Sequence, residues 1–109
     1  MEIVGRKVIV KFTKGDATLD GAFNDFLEQV TDANWQNDAD VKITFPKADR
    51  AVDSFYFFDI GSSRNFSLVN FKKGQFEIIW AGNQDDYIAT FKNNKDTIKK
   101  FLRKKGYSV

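Results

Sequence analysis

The 109-residue chain contains no cysteine, no histidine, one proline and one methionine. Absence of cysteine removes disulfides, thiol nucleophiles and thiolate zinc sites, and absence of histidine removes the commonest metal ligand and the commonest proton-transfer group at neutral pH. Nucleophilic triads and zinc hydrolases are excluded on that ground, and neither a metal nor another cofactor is expected. There is no Gly-rich loop to cradle phosphates. No apolar run is long enough for a signal peptide or a membrane span, which points to a cytoplasmic protein with no membrane partner.

Aromatics, by contrast, are plentiful. Twelve Phe, three Tyr and two Trp each bury a large area, and a chain of this length builds a core without staples. Residues 1–109 are therefore expected to form one domain. The net charge of +2 hides an asymmetry: residues 1–60 carry 7 basic and 11 acidic side chains, net −4, whereas residues 61–109 carry 10 and 4, net +6. A dipolar chain of this kind fits an anionic partner at its C-terminal end, or a terminal helix that its Lys residues simply solvate.

Residues 3–12 are ambiguous, because Val8, Val10 and Phe12 alternate like a strand while Val4, Val8 and Phe12 lie four apart like a helix face. Asp16 is placed to cap a helix over residues 17–30, whose Leu19, Phe23, Phe26, Leu27 and Val30 recur at three- and four-residue spacing. Asn37 or Asp38 caps a short helix through Val41 and Ile43, ended by Pro46, and residues 47–53 read as a connector. Asp38 and Asp40 resemble the start of a calcium loop but lack its mid-loop Gly and terminal Glu, so they read as caps.

Three strands come next in a meander: residues 55–60, a turn over 61–64, residues 66–71, a turn at Lys72-Lys73-Gly74, and a strand from Phe76. In that last strand Phe76, Ile78 and Trp80 alternate with Glu77, Ile79 and Ala81, predicting a single apolar face. Gly82 ends it at a polar corner where a site would sit, although Asn83 and Gln84 exchange no protons at neutral pH. Asp85 and Asp86, adjacent in sequence, read as caps of the turn or of a helical segment after it. A last helix over residues 94–105 buries Ile98, Phe101 and Leu102, ends at Gly106, and carries Lys95, Lys99, Lys100, Arg103, Lys104 and Lys105 on its remaining surface.

The stretch Trp35-Gln-Asn-Asp-Ala-Asp-Val-Lys-Ile-Thr-Phe-Pro-Lys-Ala48 resembles the signature of HigB-type toxins of type II toxin–antitoxin systems. Phe57-Phe-Asp-Ile-Gly61 resembles that family's first long strand, Gly82-Asn-Gln-Asp-Asp-Tyr87 its Gly-Thr-His-x-x-Tyr corner, and Val4-Gly5-Arg6-Lys7 with Phe12 its opening helix. The likeness covers residues 2–88 and leaves 89–109 as a basic helical extension. It implies an α+β, RelE-like fold in which N-terminal helices, the one at residues 5–12 included, pack on a small antiparallel sheet.

The resemblance also implies an activity, ribosome-dependent cleavage of messenger RNA, and a partner, a HigA-type antitoxin with a helix-turn-helix domain. That chemistry aligns a ribose 2′-hydroxyl, stabilises charge on phosphorus and moves protons. Tyr87 keeps the family's Tyr, but Gln84 stands where its His belongs, Ile79 at a position often basic, and Phe66 or Ser67 where a strand Arg falls. A nuclease here would use Tyr87 and Gln84 with Arg64, Lys72 or Lys73, and Lys99, Lys100, Arg103 and Lys104 would contact RNA. The competing readings are a catalytically degenerate RNA- or protein-binding module and an accessory domain unrelated to toxins.

Overall fold

The computed structural model describes residues 1–109 as a three-layer α+β domain built on a five-stranded sheet. In chain order the elements are β1 (Glu2–Val4), α1 (Arg6–Thr13), α2 (Ala17–Asp32), α3 (Asp38–Thr44), β2 (Asp49–Val52), β3 (Phe55–Ile60), β4 (Ser63–Asn70), β5 (Gln75–Asn83), α4 (Gln84–Phe91) and α5 (Lys95–Lys104). The sheet order is β1-β5-β4-β3-β2, with β2 to β5 antiparallel and β1 parallel to β5. No helix is long and apolar enough to cross a membrane.

The helix over residues 5–12, which periodicity left open, is α1. Its start depends on Gly5, whose φ of 87° suits glycine, and a Cβ there would lie 2.6 Å from the Ile78 carbonyl oxygen. Glycine thus lets α1 leave β1 and lie directly on β5. Asp16 caps α2 as its position predicts, accepting from Leu19 N at 3.0 Å, and Asn37 caps α3 by accepting from Asp40 N at 3.1 Å. Phe23, Phe26, Leu27 and Val30 of α2 and Val41 of α3 enter a first core with Tyr56, Phe58, Phe76 and Ile78 from the sheet. Trp35 of the signature stretch stacks there on Phe58 at 6.3 Å and donates from Nε1 to Thr44 Oγ1 at 2.9 Å.

Several boundaries differ from expectation, each for a local reason. Residues 49–52 are not connector but β2, paired antiparallel with β3. Its charged Asp49 and Arg50 obscure the strand pattern, as is common at a sheet edge. The β3–β4 turn is only Gly61 and Ser62, so Ser63 and Arg64 belong to β4, and Arg64 pairs with Asp59. Residues 88–91, expected to lead into the last helix, lie in a separate helix, α4.

The largest difference is in β5. The pairs Phe66↔Trp80 and Ser67↔Ile78 leave Ile79 without a partner, which is a β-bulge. The extra residue breaks the alternation: Phe76 and Ile78 enter the first core, while Ile79 and Trp80 both turn to the opposite face. Fully buried Asn65 secures the kink by donating from Nδ2 to the Trp80 carbonyl at 3.1 Å, and Ser67 donates to Asn65 Oδ1 at 2.6 Å. That opposite face holds a second core of Val52, Phe55, Phe57, Phe66 and Ile79, closed by Tyr87 and Phe91 of α4 and by Ile98 and Leu102 of α5.

Candidate functional site

The corner after β5 is set by Gly82. A Cβ on it would come within 2.6 Å of the Trp80 ring and 2.9 Å of Asp86 Cβ, so only glycine lets α4 fold back this tightly over the sheet. Asn83 and Asp86 then form a capping box: Asp86 N donates to Asn83 Oδ1 at 2.8 Å, and Asn83 N donates to Asp86 Oδ2 at 3.1 Å. The capping role expected of the paired acids holds for Asp86. It also holds the Asp86 carboxylate at the start of α4, and with exposed Asp85 beside it the turn repels rather than attracts a phosphate.

Arg64 reaches this corner because Gly82 is its register partner on β5. Its guanidinium lies 4.4 Å from the centre of the Tyr87 ring, a cation–π contact, and Nε is 3.1 Å from Asp59 Oδ1. That ion pair is close but misaligned, leaving the buried Nε–H without a hydrogen-bond acceptor. Asp59 went unnoticed in the sequence, although a two-residue turn at Gly61 and Ser62 is enough to set it opposite Arg64. Gln84 is exposed at the first position of α4.

Tyr87 is packed inside. It is 4 % exposed, its ring meets Phe57 edge-on at 5.0 Å, and its hydroxyl donates to Asn93 Oδ1 at 3.2 Å. Asn93, at φ 48° beyond the end of α4, is a second partner that sequence reasoning missed. Lys72 and Lys73 sit in the β4–β5 turn, at the opposite end of β4 from Arg64, with roughly 20 Å of strand between Arg64 and that turn. They do not join Tyr87 and Gln84 around one reacting atom. The meander was legible, but the direction of β4 puts its two turns at opposite ends of the sheet.

The remaining positions matched to the family's functional residues are also interior: Ile79 is 7 % exposed, and Phe66 and Ser67 are fully buried. Phe66 stacks on Phe57 at 4.1 Å, which leaves no gap between those strands on that face. Phe66, Ile79 and Tyr87 belong to the aromatic core between the sheet, α4 and α5.

α5 carries the basic surface. Asn94 caps it, accepting from Thr97 N at 3.1 Å, and Gly106, at φ 95°, terminates it. Lys100, Arg103 and Lys104 are exposed and Lys99 is half-buried. Arg64–Asp59 is the one pair of oppositely charged side chains in the chain, so no cation of α5 is paired with an Asp or Glu. Arg103 Nε donates to the Val109 carbonyl at 3.0 Å, turning the tail back along the helix.

Tyr107 of that tail donates to Glu77 Oε2 at 2.8 Å and meets Phe55 edge-on at 5.3 Å. Burial, then the Glu77 hydrogen bond and its charge, push the Tyr107 phenol up to about 12 from 10.0. Tyr56, hydrogen-bonded to Asp38 at 2.5 Å, is raised too, first by burial and then by that bond. Because the folded state holds these protons more tightly, their contribution is complete below the unfolded value near 10.0 and is lost as pH climbs towards about 12. Urea unfolding across that window should show stability falling, and Tyr107→Phe should reduce the slope without removing it, Tyr56 supplying the rest.

Among known families, a model described as the RelE-like toxic component of a toxin–antitoxin system matches residues 20–90, well over half of the chain. No curated protein matches the sequence. The matched segment contains most of α2, then α3, the meander and the Gly82 corner, the region in which the Trp35 and Gly82 motifs lie. By that match the chain belongs to the HigB-toxin family, the RelE-like toxic components of toxin–antitoxin systems.

Proposed function

We propose that this HigB-family chain acts in the cytoplasm by binding RNA through α5, in partnership with a HigA-type helix-turn-helix antitoxin, and that it does not cut RNA efficiently. The observation that carries this reading is the burial of Ile79, Phe66, Ser67 and Tyr87. A transition state for ribose attack on phosphorus needs cationic donors and proton carriers in contact with substrate. At these positions substrate would meet packed side chains, and near the corner Arg64 is outnumbered by Asp59, Asp85 and Asp86. The uncompensated cations of α5 suit a polyanion instead.

Ribosome-dependent cleavage of messenger RNA is the second reading. Family membership favours it, as does the partial exposure of the Arg64 side chain, 23 %, on β4 beside the Gln84 corner. A translation extract with added protein separates the two. Intact messenger, with labelled RNA bound and the slope of log affinity against log salt reduced by about 2 to 3 when Lys99, Lys100 and Lys104 become Gln, supports binding alone. Messenger cut by the wild type and spared by Arg64→Ala establishes cleavage, and an unchanged slope removes α5 from RNA recognition. Failure to bind either RNA or a helix-turn-helix antitoxin would leave an accessory domain.

A further inference from the structure

The acidic half of the chain has a surface of its own. Between Lys14 and Lys42 there is no Lys or Arg, but there are seven acids: Asp16, Asp20, Asp25, Glu28, Asp32, Asp38 and Asp40. Beside α2 run three depressions of about 270, 380 and 210 Å³. The first shares Phe45 and Asp59 with the second, and the second shares Ala22 and Ile60 with the third, so they form one groove. Phe45, Phe58, Ala22 and Ile60 line its floor, Asp16 and Asp25 its rim together with Asp59, whose carboxylate is paired with Arg64, and Lys47 is the one cation.

We propose that this groove docks a cationic amphipathic segment of a partner protein. Its apolar floor is elongated and divided, which suits successive side-chain anchors of one helix or strand better than a compact small molecule. Asp25 is exposed and has neither a hydrogen bond nor an ion pair, so Lys or Arg flanking the anchors finds a free carboxylate there. Nucleic acid is repelled by the same rim. A second copy of this chain is a poor occupant, because its two cationic helices, α1 and α5, already turn their apolar faces into its own cores, α1 through Ile9 and Phe12 and α5 through Ile98 and Leu102. α2 and α5 cover opposite faces of the sheet, so the proposal stands apart from RNA binding.

A short fluorescein-labelled amphipathic peptide of Leu and Lys, titrated into the full chain, tests it by anisotropy against the same peptide with Glu for Lys. The Lys peptide should bind, the Glu peptide should not, and affinity should fall roughly tenfold or more in Asp25→Lys/Gln29→Lys, with both positions exposed so that the fold is kept. Unchanged affinity in that variant, equal binding of the Glu peptide, or binding of neither overturns the proposal. Self-association in sedimentation that the same variant abolishes overturns it in favour of a second copy.

Discussion

Replacing Phe91 with Ala is expected to lower the stability of the protein by about 3 to 5 kcal/mol, the range for emptying a buried aromatic site. Phe91 is fully buried and its ring meets five others: Phe57 at 5.1 Å, Phe66 at 5.5 Å, Trp80 at 5.0 Å, Tyr87 at 5.7 Å and Phe101 at 4.9 Å. These neighbours come from β3, β4, β5, α4 and α5, so no single element can move in to fill the gap. Against a total stability on the order of 5 to 15 kcal/mol, such a loss is a large fraction. Urea unfolding of the variant beside Ile88→Ala, which alters a 52 %-exposed side chain on the same helix and should change stability by no more than about 0.5 kcal/mol, measures it. A cost for Phe91→Ala near that of Ile88→Ala would mean a loosely filled sheet face. The case against an active site there would then fail.

That case could not be made from sequence alone, and the reason lies in β5. Alternation of Phe76, Ile78 and Trp80 foretells one apolar face, and the strand has two, because a bulge at Ile79 has no signature in side-chain type. Elements whose signal is local were legible: the capped stripe of α2, the Pro-bounded α3, the aromatic run of β3 and the Lys-rich α5 with its Gly stop. β1 was not, since three residues fix no period, and it is held by parallel pairing to a strand more than seventy residues away. The site divides in the same way. Gly82 and the Asp86 cap follow from residue type, while burial of Tyr87 depends on α4 folding back so that its ring meets Phe57 of β3, a tertiary contact with no local signal. Charge pattern marked Lys72 and Lys73 as available cations, but which end of the sheet they occupy is a property of topology.

Ending the chain after Asn93 is expected to abolish cooperative folding, even though it keeps every residue of the family match. Ile98 is 6 % exposed and Leu102 fully buried, and they close the second core over Phe55, Phe57, Ile79 and Phe91. Loss of either aliphatic side chain alone costs about 2 to 5 kcal/mol. Removing both, with Phe101 and Tyr107, therefore approaches the whole stability of a small domain, on the order of 5 to 15 kcal/mol. The aromatic face left behind would also aggregate. Near-ultraviolet circular dichroism and urea titration of the truncated chain measure the outcome. Beside it, Lys99→Gln/Lys100→Gln/Lys104→Gln should unfold within about 0.5 kcal/mol of wild type, because these side chains lie outside the core. Collapse of the first protein and survival of the second would assign α5 two separable duties, an inner face that completes the fold and an outer face available to RNA. A truncated chain that still unfolds cooperatively would mean that the HigB-like segment stands without its lid. The part of its second sheet face that Ile98 and Leu102 cover would then lie open to a substrate.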